Sequence, residues 1–309
     1  MQNTLELLST SPTLLVGLCV FLGLLVGSFL NVVIYRLPVM MERSWKQEAR
    51  EILELPAEED EGIFNLVTPR SRCPKCSHAI AWYENIPVVS WLALKGRCKG
   101  CATPISKRYP IIEVTSGLLA GLCAWHFGYG PWLIFTLFAT WTLLAAALID
   151  ADTTLLPDSM NYPLMWAGLL AALLGVSPVS LPDAVVGAMA GYLSLWSVYW
   201  LFKLLTGKEG MGYGDFKLLA ALGAWVGWQY LPLIILLSSV VGLVFALLAA
   251  LFGGEKRTQI PFGPYLAAKY IGATLHKPNP AGWALCFSGV AGWQFSQCRH
   301  LPPAGNDGA

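Results

Sequence analysis

The chain has 309 residues, of which 55% are hydrophobic and only 13% are charged, and its formal net charge is +1. A soluble domain carries roughly 25% charged residues, and the mean hydropathy of this chain is +0.55. The composition therefore excludes an ordinary soluble globular protein, and no basic patch suited to a nucleic-acid partner is visible. Apolar runs near the roughly 20 residues that span a bilayer recur along the chain, so we predict an all-α polytopic membrane protein.

The apolar runs predict about eight transmembrane helices, near residues 13–35, 111–128, 132–149, 160–176, 184–205, 217–229, 231–252 and 261–276. The only long polar segment, about 38–110, lies between the first span and the second. We therefore predict four parts: a first transmembrane span (1–37), a cytosolic loop domain (38–110), a seven-helix membrane core (111–276) and a C-terminal extension (277–309).

The distribution of Lys and Arg predicts the orientation of the spans. The loops 129–131 and 177–183 and the turn near 230 contain neither residue, whereas cytosolic loops carry an excess of both. The amino terminus is thus expected outside and the long loop inside, in a multi-pass membrane protein. The residues that mark the cytosolic side are Arg36, Lys203, Lys208, Lys217, Lys256 and Arg257.

The first predicted span ends in Gly27-Ser28-Phe29-Leu30-Asn31, followed by Val32 to Arg36. Gly27 and Ser28 suit close packing against another helix, and Arg36 is expected to anchor the span at the cytosolic interface. Asn31 inside a span needs a hydrogen-bond partner, so we expect it to face the bundle.

Two Cys-x-x-Cys pairs lie in the polar loop, and 21 residues separate them. Pairs at this separation suit a tetrahedral thiolate site for Zn²⁺. A disulfide pair is the alternative, but disulfides are disfavoured in the cytosol. Four thiolates close the coordination shell, so this zinc would fold the loop rather than catalyse a reaction. The predicted ligands are Cys73, Cys76, Cys98 and Cys101.

Glu113 is an acidic residue early in the second predicted span. Acids at membrane depth are costly and mark functional sites by default. The simpler interpretation is a satisfied interhelical hydrogen bond, with Arg108 or Lys107 as a partner.

The third predicted span ends in a group of three acids, Asp150, Asp152 and Asp158. Asp158 stands just ahead of the fourth span, where capping of the helix N-terminus is the favoured explanation. Asp152 is expected to face solvent or to support its neighbours. The residues alone do not choose among the three as a catalytic group.

A second acidic site, Asp215, lies in the motif Gly212-Tyr213-Gly214-Asp215, just before the sixth predicted span. Its glycines allow the backbone to bend and another chain to approach closely. The predicted orientation places Asp150 and Asp215 at the same, cytosolic face of the membrane. The alternative is that Asp215 only caps the sixth helix.

Two adjacent carboxylates would suit peptide hydrolysis, because one pKa is pushed up and the two groups divide the acid and base roles. The ionised group then activates a water, and the protonated one donates to the scissile carbonyl oxygen. The chain contains neither Gly-x-Ser-x-Gly nor His-Glu-x-x-His as a rival catalytic motif.

Over about 13–276 the chain resembles the type IV prepilin peptidases, which are bifunctional leader peptidases and N-methyltransferases of type IV pilus and type II secretion systems. The resemblance rests on Gly27-Ser28-Phe29-Leu30-Asn31-Val32, both cysteine pairs, Tyr109-Pro110-x-x-Glu113, Ile149-Asp150-x-Asp152, Leu156-Pro157-Asp158, and Gly210-Met211-Gly212-Tyr213-Gly214-Asp215-x-Lys217.

The resemblance implies an aspartyl protease with Asp150 and Asp215 as the catalytic acids. Its substrate would be a prepilin or pseudopilin, cut on the cytosolic side, and the new amino terminus would be methylated from S-adenosylmethionine. The segment Lys95-Gly96-Arg97 is where the methyl donor would be sought. Supporting roles are expected for Gly212, Gly214, Asp152, Asp158, Lys217 and Glu113.

Two other classes of function fit some of the same residues. A transporter would use Asp150, Asp215 and Glu113 as proton or cation sites, although no inverted repeat of hydropathy is apparent. A membrane scaffold of a secretion assembly would use the cysteine loop as a docking module.

Overall fold

The described part of the chain is mostly helical. The structure is a computed structural model, and it describes residues 2–56, 62–208 and 211–251. Within these ranges there is no β-strand, only two isolated antiparallel bridges, Arg72 with Ala79 and Arg97 with Pro104. The predicted helical class is therefore confirmed for these residues. The acidic run 58–61, the predicted eighth span 261–276 and the extension 277–309 lie outside the described residues.

The helices follow one another in the order that the apolar runs predict. Two short 3-10 helices, Trp82–Asn85 and Trp228–Tyr230, supplement the α-helices. The α-helices of the described ranges are α1 (Gln2–Thr10), α2 (Pro12–Ile52), α3 (Val89–Ala93), α4 (Arg108–Phe127), α5 (Pro131–Thr153), α6 (Asp158–Leu173), α7 (Leu181–Thr206), α8 (Tyr213–Val226) and α9 (Leu231–Leu251).

Among the described residues, fewer helices than predicted are long and apolar enough to cross a membrane. Four helices qualify by length and composition, namely α2, α4, α5 and α7, and a fifth span is counted if α8 and the following Trp228–Val240 are taken together. These two helices are bent by 120° at Gly227, whose φ is +79°. The predicted eight spans are thus not confirmed, because α6 has 16 residues and α8 only 14, against the roughly 20 that a span needs.

The first span is the start of a much longer helix than predicted. Helix α2 has 41 residues, a length of about 60 Å, so it extends well beyond a hydrocarbon core of about 30 Å. The buried Arg36 side chain, predicted as an interface anchor, donates hydrogen bonds to the carbonyl oxygens of Asn65 at 2.8 Å and Pro69 at 2.6 Å. Arg36 therefore holds the following loop against α2.

Small residues bring α2 and α4 into close contact. A Cβ at Gly27 would lie 2.8 Å from Glu113 Cα, and a Cβ at Gly23 would lie 2.8 Å from Gly117 Cα. The Ser116 hydroxyl donates to the Gly23 carbonyl oxygen at 2.6 Å. The predicted packing role of Gly27 is confirmed, and small residues at the interface are what close helix packing in a membrane requires.

Helix α8 is the central helix of the second half of the chain. Every residue from Leu218 to Val226 is buried, and α5, α6, α7 and α9 contribute side chains to the apolar cluster around it. A helix that is apolar all round belongs inside a bundle. Because α8 is held on all sides, its first turn, which carries Asp215, has a fixed position.

Substituting Gly223 with Ala is expected to lower the free energy of unfolding by about 1–3 kcal/mol, the usual effect of overpacking. A Cβ at this position would collide with the Gly187 backbone carbonyl of α7, and backbone cannot rotate away. Gly17→Ala in α2 is the matched control, since nothing lies within 4 Å of its Cβ position. Unfolding in detergent measures both, and equal stability of the two variants would contradict the packing.

Candidate active site and cysteine cluster

The two acids predicted as a pair come together in the structure. Asp150 lies in the last turn of α5 and is 4% exposed. Asp215 lies in the first turn of α8, where a carboxylate is favoured by the positive end of the helix dipole. The two carboxylates are close enough to interact electrostatically. Helix packing thus joins groups that are far apart in sequence, although their catalytic roles stay a prediction.

Asp215 does not cap α8. The helix begins at Tyr213, its N-cap is Gly212, and no side chain makes a capping hydrogen bond. The backbone N–H of Asp215 donates to the Gly212 carbonyl oxygen at 3.3 Å, so Asp215 is already inside the first turn. The capping alternative for Asp215 is therefore wrong, because the helix starts earlier than the apolar run indicates.

Gly214 places α8 directly against the turn that follows α5. A Cβ on Gly214 would lie 2.7 Å from Leu156 Cβ, and Leu156 belongs to the connection between α5 and α6. A larger residue at 214 would push the start of α8 away from the α5 terminus. No role for Leu156 could be predicted from the sequence, because only its contact with Gly214 in the structure indicates one.

Asp158 forms an ion pair with Lys217 rather than capping α6. The N-cap of α6 is Pro157, so the expected capping role of Asp158 is wrong. Lys217 Nζ lies 2.8 Å from Asp158 Oδ1 and 2.6 Å from Oδ2. This pair links the first turns of α6 and α8.

Asp152 pairs with Arg108 at the start of α4. Two hydrogen bonds of 2.9 and 2.5 Å join the guanidinium to the carboxylate in a bidentate arrangement. The expectation that Arg108 serves Glu113 is therefore wrong. The two acids that flank the Asp150 and Asp215 pair are each matched by a cation on another helix.

Glu113 bonds to the loop domain and to α2. Its Oε2 accepts the backbone N–H of Val88 at 2.7 Å, and its carboxylate also contacts the Ser28 side chain. Asn31 donates to the Tyr109 carbonyl oxygen at 3.3 Å. Satisfied hydrogen bonds are thus confirmed for Glu113 and Asn31, but the Glu113 partner is a loop backbone group and not a basic side chain.

The four predicted metal ligands form one cluster. Their sulfur atoms all lie within 4.8 Å of one another. Cys73 Sγ lies 3.8 Å from Cys101 Sγ, and Cys76 Sγ lies 3.9 Å from Cys98 Sγ. Four sulfurs placed at about 2.3 Å from a zinc ion at tetrahedral angles would be about 3.8 Å apart. The cluster therefore suits a tetrahedral metal ion.

The pKa values of two of these thiols are shifted in opposite directions. The Thr103 hydroxyl, 3.2 Å from Cys101 Sγ, lowers the pKa of this thiol to about 6. The His78 backbone N–H favours the thiolate of Cys76, but burial and the other thiols raise its pKa to about 12. A divalent cation would supply the charge that allows all four thiols to deprotonate.

Two family models match most of the described chain. The Bacterial Peptidase A24 N-terminal domain matches residues 21–127, and the Type IV leader peptidase family matches residues 137–247. The chain is 59% identical over 267 residues to the prepilin leader peptidase/N-methyltransferase of Stutzerimonas stutzeri, covering 86% of this chain and 92% of that protein. The chain belongs to the type IV leader peptidase family.

Further relatives of the same printed name agree with this membership of the leader peptidase family. The Pseudomonas aeruginosa protein is 58% identical over 264 residues, covering 85% of this chain and 91% of that protein. The Aeromonas salmonicida protein is 54% identical over 270 residues, covering 86% of this chain and 92% of that protein. No solved structure matches the chain.

The cysteine loop of this leader peptidase contains a short repeat that sequence analysis did not use. Residues 72–80 read RCPKCSHAI and residues 97–105 read RCKGCATPI. In each copy the residue after the second cysteine has a positive φ, 56° at Ser77 and 55° at Ala102. Each copy is closed by one of the two antiparallel bridges. The cluster is thus built from two equivalent turns.

Glu84 connects the two copies of this repeat. Its carboxylate lies 3.1 Å from His78 Nε2 of the first copy and 3.1 Å from Lys99 Nζ of the second. The backbone N–H of Ala81 and these two partners lower the pKa of Glu84. In the sequence, the repeat is the feature that would have indicated two equivalent turns and a residue connecting them.

The segment proposed for the methyl donor has a local structural explanation. Gly96 has a φ of +65°, and a Cβ there would lie 2.8 Å from the Trp91 ring. Packing against Trp91 therefore accounts for this glycine. The role of Lys95-Gly96-Arg97 in binding S-adenosylmethionine stays a prediction.

Replacing Lys217 with Met is expected to slow any reaction at the acid pair by about 10- to 100-fold, the range that small misplacements of reacting groups cost. The substitution removes the 2.6 Å ion pair with Asp158 that fixes the start of α8. Asp158→Asn should reproduce the effect, and Lys46→Met is the control, since its ion pair lies on the surface of α2. The rate of substrate cleavage measures the effect, and full activity of the Lys217→Met variant would contradict the prediction.

Proposed function

We propose that this chain is a prepilin leader peptidase and N-methyltransferase, which removes the basic leader of type IV prepilins and pseudopilins and methylates the new amino terminus. Family membership at 54–59% identity over most of the chain supports the pair of activities. The observation that carries the peptidase assignment is the juxtaposition of Asp150 and Asp215 at the ends of two helices.

The peptidase reaction would divide between the two carboxyl groups. One ionised carboxylate takes a proton from a water molecule as the water oxygen attacks the scissile carbonyl carbon. The other, protonated, carboxyl donates its proton to the carbonyl oxygen. Collapse of the tetrahedral intermediate breaks the C–N bond, and a carboxyl proton passes to the leaving amine. Two close carboxylates favour this division because both cannot ionise cheaply.

The residues around the pair would hold its geometry. Gly214 allows the start of α8 to pack against Leu156, and Gly212 would leave room for a close approach of substrate backbone. The ion pairs of Asp158 with Lys217 and of Asp152 with Arg108 neutralise the flanking acids and fix four helix ends. Glu113 acts elsewhere, since its bonds go to Val88 and Ser28.

The cysteine cluster would hold a structural zinc ion. Four thiolates at tetrahedral spacing are a closed coordination shell, which favours folding of the loop over Lewis-acid catalysis. When bound, the zinc would bring the two turns of the repeat together, and Glu84 would hold them from the other side through His78 and Lys99.

The methyl donor would be S-adenosylmethionine, and the site would lie in the loop domain 38–110. The membrane assignments are part of the same proposal: a multi-pass protein of the bacterial inner membrane with eight crossings and the acid pair at the cytosolic face. The distribution of Lys and Arg supports this orientation. Partners would be prepilin and pseudopilin substrates, the lipid bilayer, and pilus or secretion machinery.

A reconstituted assay tests the proposal. The full chain, purified with its metal, is mixed with a prepilin and S-adenosylmethionine in phospholipid, and the products are read by mass spectrometry. We expect a shortened pilin with a methylated amino terminus. An intact prepilin after incubation with folded, metal-loaded protein would refute the peptidase assignment, and an unmethylated product would refute the second activity alone.

A further inference from the structure

The loop between the two cysteine turns exposes a set of large apolar side chains. They lie on residues 82–92, here called the interfacial segment, which contains the 3-10 helix Trp82–Asn85 and helix α3. Trp82 is 82% exposed, Val89 59% and Leu92 61%. Val89 and Leu92 are three residues apart and share one face of α3. A soluble loop domain gains nothing by exposing these groups to water.

The bond to Glu113 fixes where the interfacial segment lies relative to the membrane. Val88 N–H donates to Glu113 Oε2 at 2.7 Å, and Glu113 lies five residues after Arg108, the first residue of α4. At 1.5 Å per residue, that point is ~7.5 Å along the axis of a candidate membrane span. The backbone at Val88 is therefore held beside the first two turns of α4.

The outer face of α4 carries the same apolar character. Ile111 and Leu118, on either side of Glu113 in sequence, are large, apolar and exposed, as expected of side chains that contact lipid on a membrane-spanning helix. Val89 directly follows the residue that Glu113 holds. The exposed apolar surface of the interfacial segment thus begins beside the part of α4 whose outer side chains are expected to contact lipid.

The backbone conformation of Val88 shows that its surroundings hold this residue in place. Val88 has a φ of +61°, a conformation that a β-branched residue adopts only when its surroundings require it. The buried Glu113 carboxylate, costly inside a membrane helix, accepts the N–H of this residue. Both costs are met by one contact, which holds the backbone of Val88 against α4.

We propose that the interfacial segment inserts its apolar side chains into the lipid headgroup boundary beside α4, so that the cysteine loop is seated on the bilayer surface. Aromatic residues such as Trp82 are favoured at this depth, and amphipathic segments bind there through buried apolar area. The exposed Lys95 and Lys107 follow the segment in the chain and would reach lipid phosphates. The inference is independent of the peptidase reaction.

Photo-crosslinking in phospholipid nanodiscs tests the proposal on the full, metal-loaded chain. A benzophenone amino acid is placed at Val89 or Leu92, and lipid adducts are counted by mass spectrometry. Leu118 serves as the membrane reference. Ile52 is the matched control, because it is 81% exposed but lies 16 residues beyond Arg36 at the far end of α2.

We expect lipid adducts at Val89 and Leu92 several-fold above those at Ile52 and similar to those at Leu118. Glu113→Ala should lower the adducts at Val89 and leave those at Leu118 unchanged, with metal content showing that the loop is folded. Adduct levels at Val89 and Leu92 equal to Ile52 would overturn the proposal. Adducts to an added prepilin or to a second copy of the chain, in place of lipid, would also overturn it by assigning this surface to a protein.

Discussion

Replacing Asp150 or Asp215 with Asn is expected to reduce prepilin cleavage by at least about 10²–10⁴-fold, the contribution of a positioned acid or base. Asn has nearly the shape of Asp but can neither accept a proton from water nor donate one as a carboxylic acid. Since the two carboxylates interact across the α5 and α8 termini, loss of either should disable the pair. Single-turnover cleavage of a prepilin in lipid measures the effect.

Asp152→Asn is the control for this prediction. It removes a carboxylate two residues from Asp150, but one that is bound to Arg108 by two hydrogen bonds. We expect a much smaller loss of cleavage than at Asp150, because the substitution disturbs an ion pair at the edge of the site. If Asp152→Asn were as inactive as Asp150→Asn, the acid role would have to be shared or reassigned.

Removing the metal, or replacing Cys73 with Ser, is expected to unfold the cysteine loop. Zinc binding to such sites contributes apparent free energies of about 10–16 kcal/mol, and the two turns have few other bonds between them than those through Glu84. Metal content should be lost, and hydrogen exchange of residues 71–105 should become fast. Membrane helices such as α5 and α8 should remain protected.

Cys19→Ala separates this effect from a general loss of a thiol. Cys19 is buried in α2 outside the cluster, so the variant should keep its metal and its slow exchange. A Cys73→Ser protein with full metal content and unchanged exchange would show that the four cysteines do not form the metal site in solution.

The predicted helix bounds are most accurate where a helix coincides with one long apolar run. Helix α5 was expected at 132–149 and is observed at Pro131–Thr153, because a run of more than a dozen apolar residues has one stable arrangement in a bilayer. The predicted orientation places Asp150 and Asp215 at the same membrane face, where the two acids could meet. The positions of Lys and Arg residues and of helix ends can be read from a single sequence, so the orientation of the helices could be predicted.

Side-chain partners and helix bends could not be predicted from one sequence. Arg108 or Lys107 is the partner that the sequence indicates for Glu113, but in the structure Arg108 pairs with Asp152 on another helix. Such choices depend on how helices pack, which periodicity does not reveal. The 120° bend at Gly227 is likewise not indicated by the apolar pattern, and two segments expected as separate spans are observed as one bent pair.

The central claim, that Asp150 and Asp215 work as one unit, is tested most directly by comparing both single Asn variants with the double variant. Single-turnover cleavage of the same prepilin in the same lipid gives the three rate constants. Groups that act as a unit are strongly non-additive, so we predict that the double variant is no slower than the slower single variant. Losses that multiply, or a single variant that cleaves at the normal rate, would contradict the account.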